Sequence, residues 1–193
     1  MRCLDVGCGA GDVSLFLASL VGPSGAVMGI DSDGVQLDLV RAECHRLGVT
    51  NVELVLQDVM RLEVHDAYDV VYSRFVLEHL PDPLEALRRM WLAVRPGGLL
   101  IAEDGDFLAE FCEPPHPGFD FWQYAYQETL RRHGGDPLSG RRLHSRFRGG
   151  GHPRSSARRR PARLPQRGGQ ADALSDDRAD GVEDHRQRSR HPC

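Results

Sequence analysis

The sequence predicts an α/β protein built on a doubly wound, mostly parallel sheet of at least five strands. Three observations carry that prediction. Short apolar runs alternate with segments of helical apolar spacing over roughly the first hundred residues. The runs lack polar alternation, as strands covered on both faces do. The notable polar residues, Gly7, Asp31, Asp58, Ser73 and Asp104, stand at the ends of the runs, where open α/β sheets bind ligands.

Each element follows in order. Residues 2–6 are an apolar run that ends in glycine, and residues 7–11 form the turn after it. Residues 12–20 show helical spacing with Val13, Leu17 and Leu20 on one side and Phe16 beside them, closed by Gly22-Pro23. Residues 26–30 make a second strand, and residues 34–47 a helix with Val35, Leu39, Ala42 and Leu47, capped by Gly48. Residues 52–56 and 68–72 are strands three and four. Residues 83–94 form a helix carrying Leu84, Leu87, Met90, Trp91 and Val94, broken by Arg95-Pro96-Gly97-Gly98. Residues 99–102 are the fifth strand.

Beyond Gly105 the pattern changes. Seven aromatics, Phe107, Phe111, Phe119, Phe121, Trp122, Tyr124 and Tyr126, crowd a proline-rich stretch. Helices are predicted over residues 121–132 and 139–147. Residues 148–193 contain no Phe, Trp, Tyr, Ile or Met, and Leu164, Leu174 and Val182 are their only large aliphatics. Such a segment buries too little apolar surface to offset its ordering entropy, so it is predicted to be a disordered tail. The chain divides accordingly into a domain over 1–147 and a tail over 148–193. An out-of-frame read of the gene and a native basic tail both account for the switch.

Charge narrows the function. Residues 1–147 hold 22 acids and 13 arginines, whereas residues 148–193 hold 6 acids and 11 arginines. An acidic domain lacks the basic face that phosphate backbones require, which argues against nucleic acid as a partner. No apolar run approaches the roughly 20 residues that span a bilayer, and no secretory signal is visible at the start. The five cysteines, Cys3, Cys8, Cys44, Cys112 and Cys193, lack the paired spacing of a zinc site. They fit reduced thiols in a cytoplasmic protein. No metal site is expected.

The chemistry sits in a series of motifs. Leu4-Asp5-Val6-Gly7-Cys8-Gly9-Ala10-Gly11 places glycines at a strand-to-helix turn, where a ligand can approach the backbone. Alone, the turn reads equally well as tight-turn geometry. Its spacing differs from the G-x-G-x-x-G of nicotinamide-binding loops. Asp31, twenty residues after Gly11, ends strand two and can accept from two ribose hydroxyls. The competing role is a helix N-cap, which Ser32 or Asp33 can fill instead. Gln57-Asp58-Val59 ends strand three; on its own Asp58 reads as a solvated loop acid. The run from Tyr68 through Ser73-Arg74-Phe75-Val76-Leu77-Glu78-His79-Leu80 comes fourth, and the Arg95-Pro96-Gly97-Gly98 turn fifth.

In this order and spacing the series resembles the class I S-adenosylmethionine-dependent methyltransferases, over residues 2–104. It is similar to their small-molecule branch, the ubiquinone and menaquinone methyltransferases. The resemblance implies a Rossmann-like fold, S-adenosyl-L-methionine as cofactor, and in-line methyl transfer to a small-molecule acceptor. It implies that Asp5, Gly7, Cys8, Gly9 and Gly11 cradle the methionine part of the cofactor. Asp31, with Ser32 beside it, would hold the ribose. Asp58 would contact adenine, with Val59 supplying backbone, and Ser73 would line the site. A general base is needed only if the acceptor must lose a proton early. His79, Glu103 and Asp104 stand near strand ends as candidates, each with a structural role as the weightier reading. The aromatic stretch is where a substrate lid could form, although core packing is the commoner use of such spacing.

The chain departs from the family in two ways. It begins at the first strand, without the preceding helix, and no candidates for the usual final two strands follow Asp104. Strand five is then expected to be an exposed edge. From another functional class, a non-catalytic cofactor-binding relic is the alternative reading.

Overall fold

The structure is a computed structural model and describes residues 1–149. Five strands, β1 (Arg2–Val6), β2 (Ala26–Asp31), β3 (Val52–Leu56), β4 (Tyr68–Arg74) and β5 (Val94–Glu103), form one sheet in the order β3-β2-β1-β4-β5. All four pairings are parallel. The helices α1 (Asp12–Val21), α2 (Gly34–Leu47) and α3 (Pro83–Ala93) alternate with the strands. Two further helices, α4 (Pro117–Arg132) and α5 (Ser139–Gly149), follow β5. The Rossmann-like, doubly wound architecture expected from the sequence is therefore present. The strand order runs outward from β1 to β3, then reverses across β1 to β4 and β5. The carboxyl ends of β1 and β4 thus flank the switch point, the site of a ligand crevice in such sheets.

Apolar side chains fill both faces, which explains the unalternating runs. Leu4, Val6, Ile30 and Val71 point to one face, under Ala86, Leu87, Met90 and Ala93 of α3. Leu87 and Met90 are fully buried, each adding about 1.5–3 kcal/mol of transfer free energy. The intervening residues Cys3, Val27 and Val70 meet Ala18 of α1 on the other face.

Leu87 and Met90 of α3 are buried as predicted, but the faces of α1 and α2 differ from the predicted ones. In α1 the buried residues are Ser14 and Ala18, while Phe16 and Leu20 are exposed. In α2 they are Leu37, Val40 and Cys44, while Val35, Leu39 and Leu47 are exposed. Small side chains win the sheet contact on α1 because the helix lies close: a Cβ at Gly29 of β2 would stand 2.9 Å from the Ser14 hydroxyl. The larger apolar groups flank that contact.

β4 runs two residues further than predicted, and β5 begins five residues earlier, at Val94. The Arg95-Pro96-Gly97-Gly98 turn lies inside β5 as an irregularity between the Tyr68–Val94 and Val70–Leu99 pairings. Gly97 takes φ 81°, and a Cβ on Gly98 would stand 2.8 Å from the Asp69 carbonyl, so the turn needs both glycines. Helix α5 continues to Gly149, two residues past the predicted domain boundary. The rest of the predicted tail lies outside the described residues. Among the described residues no strand follows β5, which pairs only with β4 and exposes Leu99 and Ile101.

Four of the seven aromatics of the stretch pack on one another. Phe107 lies 4.6 Å from Tyr126 between ring centroids, Tyr126 stacks on Trp122 at 5.7 Å, and Phe119 joins Trp122 at 5.6 Å. Gln123 donates to the Phe107 carbonyl, which ties α4 to the segment after β5. Phe111, Phe121 and Tyr124 lie outside that stack and are exposed.

Candidate functional site

Leaving β1, the chain turns through Gly7, Gly9 and Gly11, all with positive φ, at 67°, 47° and 83°. The three glycines serve different ends. A Cβ on Gly7 would stand 2.3 Å from Val76 Cγ2, and one on Gly11 would stand 2.5 Å from Val40 Cγ1. These two let neighbouring elements close over the turn. Among the described residues a Cβ on Gly9 would meet nothing within 4 Å, and Gly9 borders a cavity, so its side of the turn is open.

Asp5 is buried in β1, and Ser14 of α1 donates its hydroxyl to Asp5 at 2.6 Å. Burial pushes the Asp5 carboxyl up to about 6, against the Ser14 hydrogen bond and the nearby Arg74 charge, which favour the ionised form. Cys8 is buried and its thiol is pushed up to about 12, chiefly by desolvation and then by Asp5 and Asp31, so it is no nucleophile near neutral pH.

Asp31 closes the turn from the β2 side. Its Oδ2 accepts from the Gly9 N–H at 2.8 Å and its Oδ1 from the Asp33 N–H at 2.9 Å. Asp33, not Asp31, caps α2, accepting from the Val35 N–H. An ionised carboxylate offers about four lone-pair positions, so Asp31 keeps acceptor capacity on both oxygens. The Gln57 N–H donates to the Asp31 carbonyl at 2.9 Å, which sets Asp58 beside β2. Asp58 is exposed and accepts from the Met60 N–H at 2.8 Å, capping a short 3-10 turn over Val59–Arg61. The Val59 side chain is buried in the core, so only its backbone is available to a ligand. Ser32 is exposed.

Asp5, Gly7, Cys8 and Gly9 together line a cavity of about 140 Å³. Ala10, Asp12 and Val13 join them, as do Arg74 and Phe75 from the end of β4. Gly11, Asp31, Ser32, Asp58, Val59 and Ser73 sit at the same end of the sheet but outside this cavity's lining. Ser14, Arg74 and Phe75 were not singled out as site residues from sequence. Ser14 reads there as one more helix residue, and Arg74 and Phe75 stood unassigned within the fourth motif.

The residues fit the implied cofactor on two observations. The Ser73 hydroxyl is buried with no hydrogen-bond partner among the described residues, an unmet polar group at the switch point. Gly9 leaves open a space that a side chain would fill.

The candidate bases stand apart from the cavity. His79 is exposed, with Nε2 3.5 Å from Glu78 Oε1. Asp104 accepts from the Val76 N–H and the Ser139 hydroxyl, tying β5 to α5. Burial pushes the Asp104 carboxyl up to about 6. Glu103 accepts from the Tyr72 hydroxyl at 2.8 Å. Glu78 is fully buried and accepts from the Gly105 N–H. Each acid thus has a structural partner. Among the described residues no group of three His, Cys, Asp or Glu could hold a metal ion.

A parallel doubly wound sheet with a glycine turn after β1 and an acid after β2 defines a nucleotide-type cofactor-binding α/β protein. A family model described as a methyltransferase domain matches residues 1–133. The chain belongs to that family, within the class I S-adenosylmethionine-dependent methyltransferases. It is similar to a demethylmenaquinone methyltransferase of Listeria welshimeri, 36% identical over 129 residues, covering 66% of this chain and 51% of the relative. It thus spans about half the length of the curated relatives it matches. Among solved structures it is similar to a SAM-dependent methyltransferase from Aquifex aeolicus, with TM-score 0.54 and 27% identity over 60% of this chain and 62% of the other. An arsenic(III) S-adenosylmethionine methyltransferase from Chlamydomonas reinhardtii superposes with TM-score 0.51 and 25% identity, over 54% and 38% of the two chains.

Proposed function

We propose that this protein binds S-adenosylmethionine at the carboxyl ends of β1 and β2, beside the switch point between β1 and β4, and transfers its methyl group to a small-molecule acceptor. The observation that carries the reading is the Asp31–Gly9 hydrogen bond, which joins the glycine turn to a carboxylate with spare acceptor capacity. When bound, the cofactor supplies a methyl group made electrophilic by its sulfonium. The chain's own residues bind and align. Asp31 accepts from the ribose hydroxyls. The open side of Gly9 admits the methionine arm against the turn. Asp58 and the Val59 backbone serve the adenine, and the unpaired Ser73 hydroxyl gains a partner. Alignment of donor and acceptor is the main catalytic device, and effective molarities of about 10⁵–10⁸ M show how far orientation alone can go.

A small-molecule acceptor is supported by the names of the curated relatives and by the acidity of residues 1–147. Demethylmenaquinone is therefore the first acceptor to assay. No helix among the described residues is long and apolar enough to cross a membrane. The free thiols Cys3, Cys8, Cys44 and Cys112 support a reducing, cytoplasmic setting.

Calorimetric titration with S-adenosylhomocysteine tests the reading. Wild type binds saturably, and Asp31→Ala binds at least about tenfold more weakly, because a hydrogen bond to a charged group contributes about 1.5–3 kcal/mol. A wild type that binds neither S-adenosylhomocysteine nor S-adenosylmethionine overturns it.

A further inference from the structure

We propose that Arg74 is the cation that receives the carboxylate at the amino-acid end of the cofactor, with its guanidinium held over the ring of Phe75. The inference rests on the cofactor reading above and extends it to a residue not otherwise assigned.

An amino-acid end carries both signs of charge, so its pocket needs an acid and a base. The cavity after β1 supplies acids in Asp5 and Asp12. Arg74 is the single basic residue of its lining. No ion pair among the described residues includes Arg74, whereas Arg41, Arg46, Arg88, Arg89, Arg95 and others each pair with a carboxylate. Among the described residues Arg74 is thus in no ion pair, although Asp5 is near enough to feel its charge.

What holds it is a ring. The Arg74 guanidinium carbon lies 5.7 Å from the Phe75 ring centroid, within cation–π range. Phe75 adopts φ 58°, a left-handed conformation that disfavours a side chain, and its N–H donates to the Glu103 carbonyl at 2.8 Å. Strain of this kind concentrates at functional sites, where the surrounding fold imposes it. Here the hydrogen bond to β5 anchors the Phe75 backbone, and the ring lies half in solvent at the cavity's edge with an arginine against it. A planar fork suits a carboxylate better than an ammonium does, since both oxygens can be met at once.

The test compares two ligands on the full-length protein by calorimetry. S-adenosylhomocysteine carries the carboxylate; 5′-methylthioadenosine lacks the whole amino-acid end. Arg74→Met is expected to weaken S-adenosylhomocysteine roughly 10- to 100-fold, the worth of a charge-assisted hydrogen bond, while leaving 5′-methylthioadenosine within about twofold of wild type. Arg74→Lys, which keeps the charge without the fork, falls between. Thermal unfolding checks that each variant is folded. Unchanged S-adenosylhomocysteine affinity in Arg74→Met overturns the inference while the cofactor reading stands. An equal loss for both ligands also overturns it, because Arg74 would then be acting only on the shape of the site. A wild type that binds neither ligand overturns the cofactor reading and this inference with it.

Discussion

Gly7→Ala should destabilise the fold, whereas Gly9→Ala should mainly damage the site. At Gly7 two costs combine. A side chain in the left-handed region costs roughly 1–2 kcal/mol. The new Cβ would also stand 2.3 Å from Val76 Cγ2, and overpacking of this kind costs about 1–3 kcal/mol. Val76 cannot step aside easily, because it is β-branched and its N–H is bonded to Asp104 Oδ1 at 3.2 Å. The sum is about 2–5 kcal/mol, at about 2–4 °C of melting temperature per kcal/mol for a chain of this size. Gly9→Ala bears only the conformational cost, since its Cβ would meet nothing within 4 Å. Urea unfolding of the four members of a Gly7→Ala and Val76→Ala cycle isolates the clash. Removing the Val76 branches should restore about 1–3 kcal/mol in the Gly7→Ala background as a coupling energy. The argument fails if Gly7→Ala lies within about 0.5 kcal/mol of wild type. It fails equally if the cycle shows no coupling, or if Gly9→Ala proves the less stable of the two.

Two further outcomes follow from the same structure. Burial raises Asp104 from 3.8 to about 6, so the folded protein holds that proton more tightly than the unfolded chain. Its contribution is full below about pH 4 and is lost as pH rises through about 6, so unfolding free energy falls across that window. Asp104→Asn should flatten the fall by up to about 3 kcal/mol, and Asp5, also raised to about 6, should retain the remainder. Urea midpoints at pH 4 and 6.5 check this, and an unchanged slope would refute it. On β5, Ile101→Lys places a charge on an exposed apolar edge strand and should delay aggregation on warming, read by light scattering. Wild-type aggregation kinetics in that variant would show that β5 is not the contact.

Much of the fold was legible in local pattern. Residues 2–6 and 52–56 are strands as read, and residues 34–47 a helix ended by Gly48 in the left-handed conformation, because apolar runs and glycine caps act over a few neighbours. The α3 face was legible at Leu87 and Met90, whereas the faces of α1 and α2 were not. Val35 and Leu39 match the helical period as well as Leu37 and Val40 do, and which stripe meets the sheet depends on how near the helix lies. The Arg95–Gly98 turn was legible as a break but not as an irregularity within β5, since register belongs to a strand pair.

The same division holds at the site. By itself the sequence determined the family, the order of the strands along the chain, and the residues at their carboxyl ends, Asp5, the glycines, Asp31, Asp58 and Ser73. Those features are local, and spacing along the chain expresses them. Only the tertiary structure decided which of them meet. It brought Asp31 onto the Gly9 N–H and Ser14 onto Asp5, and set Val76 over Gly7. Each of those contacts crosses from one strand or helix to another, and the approach distance that makes it arises from packing the whole sheet.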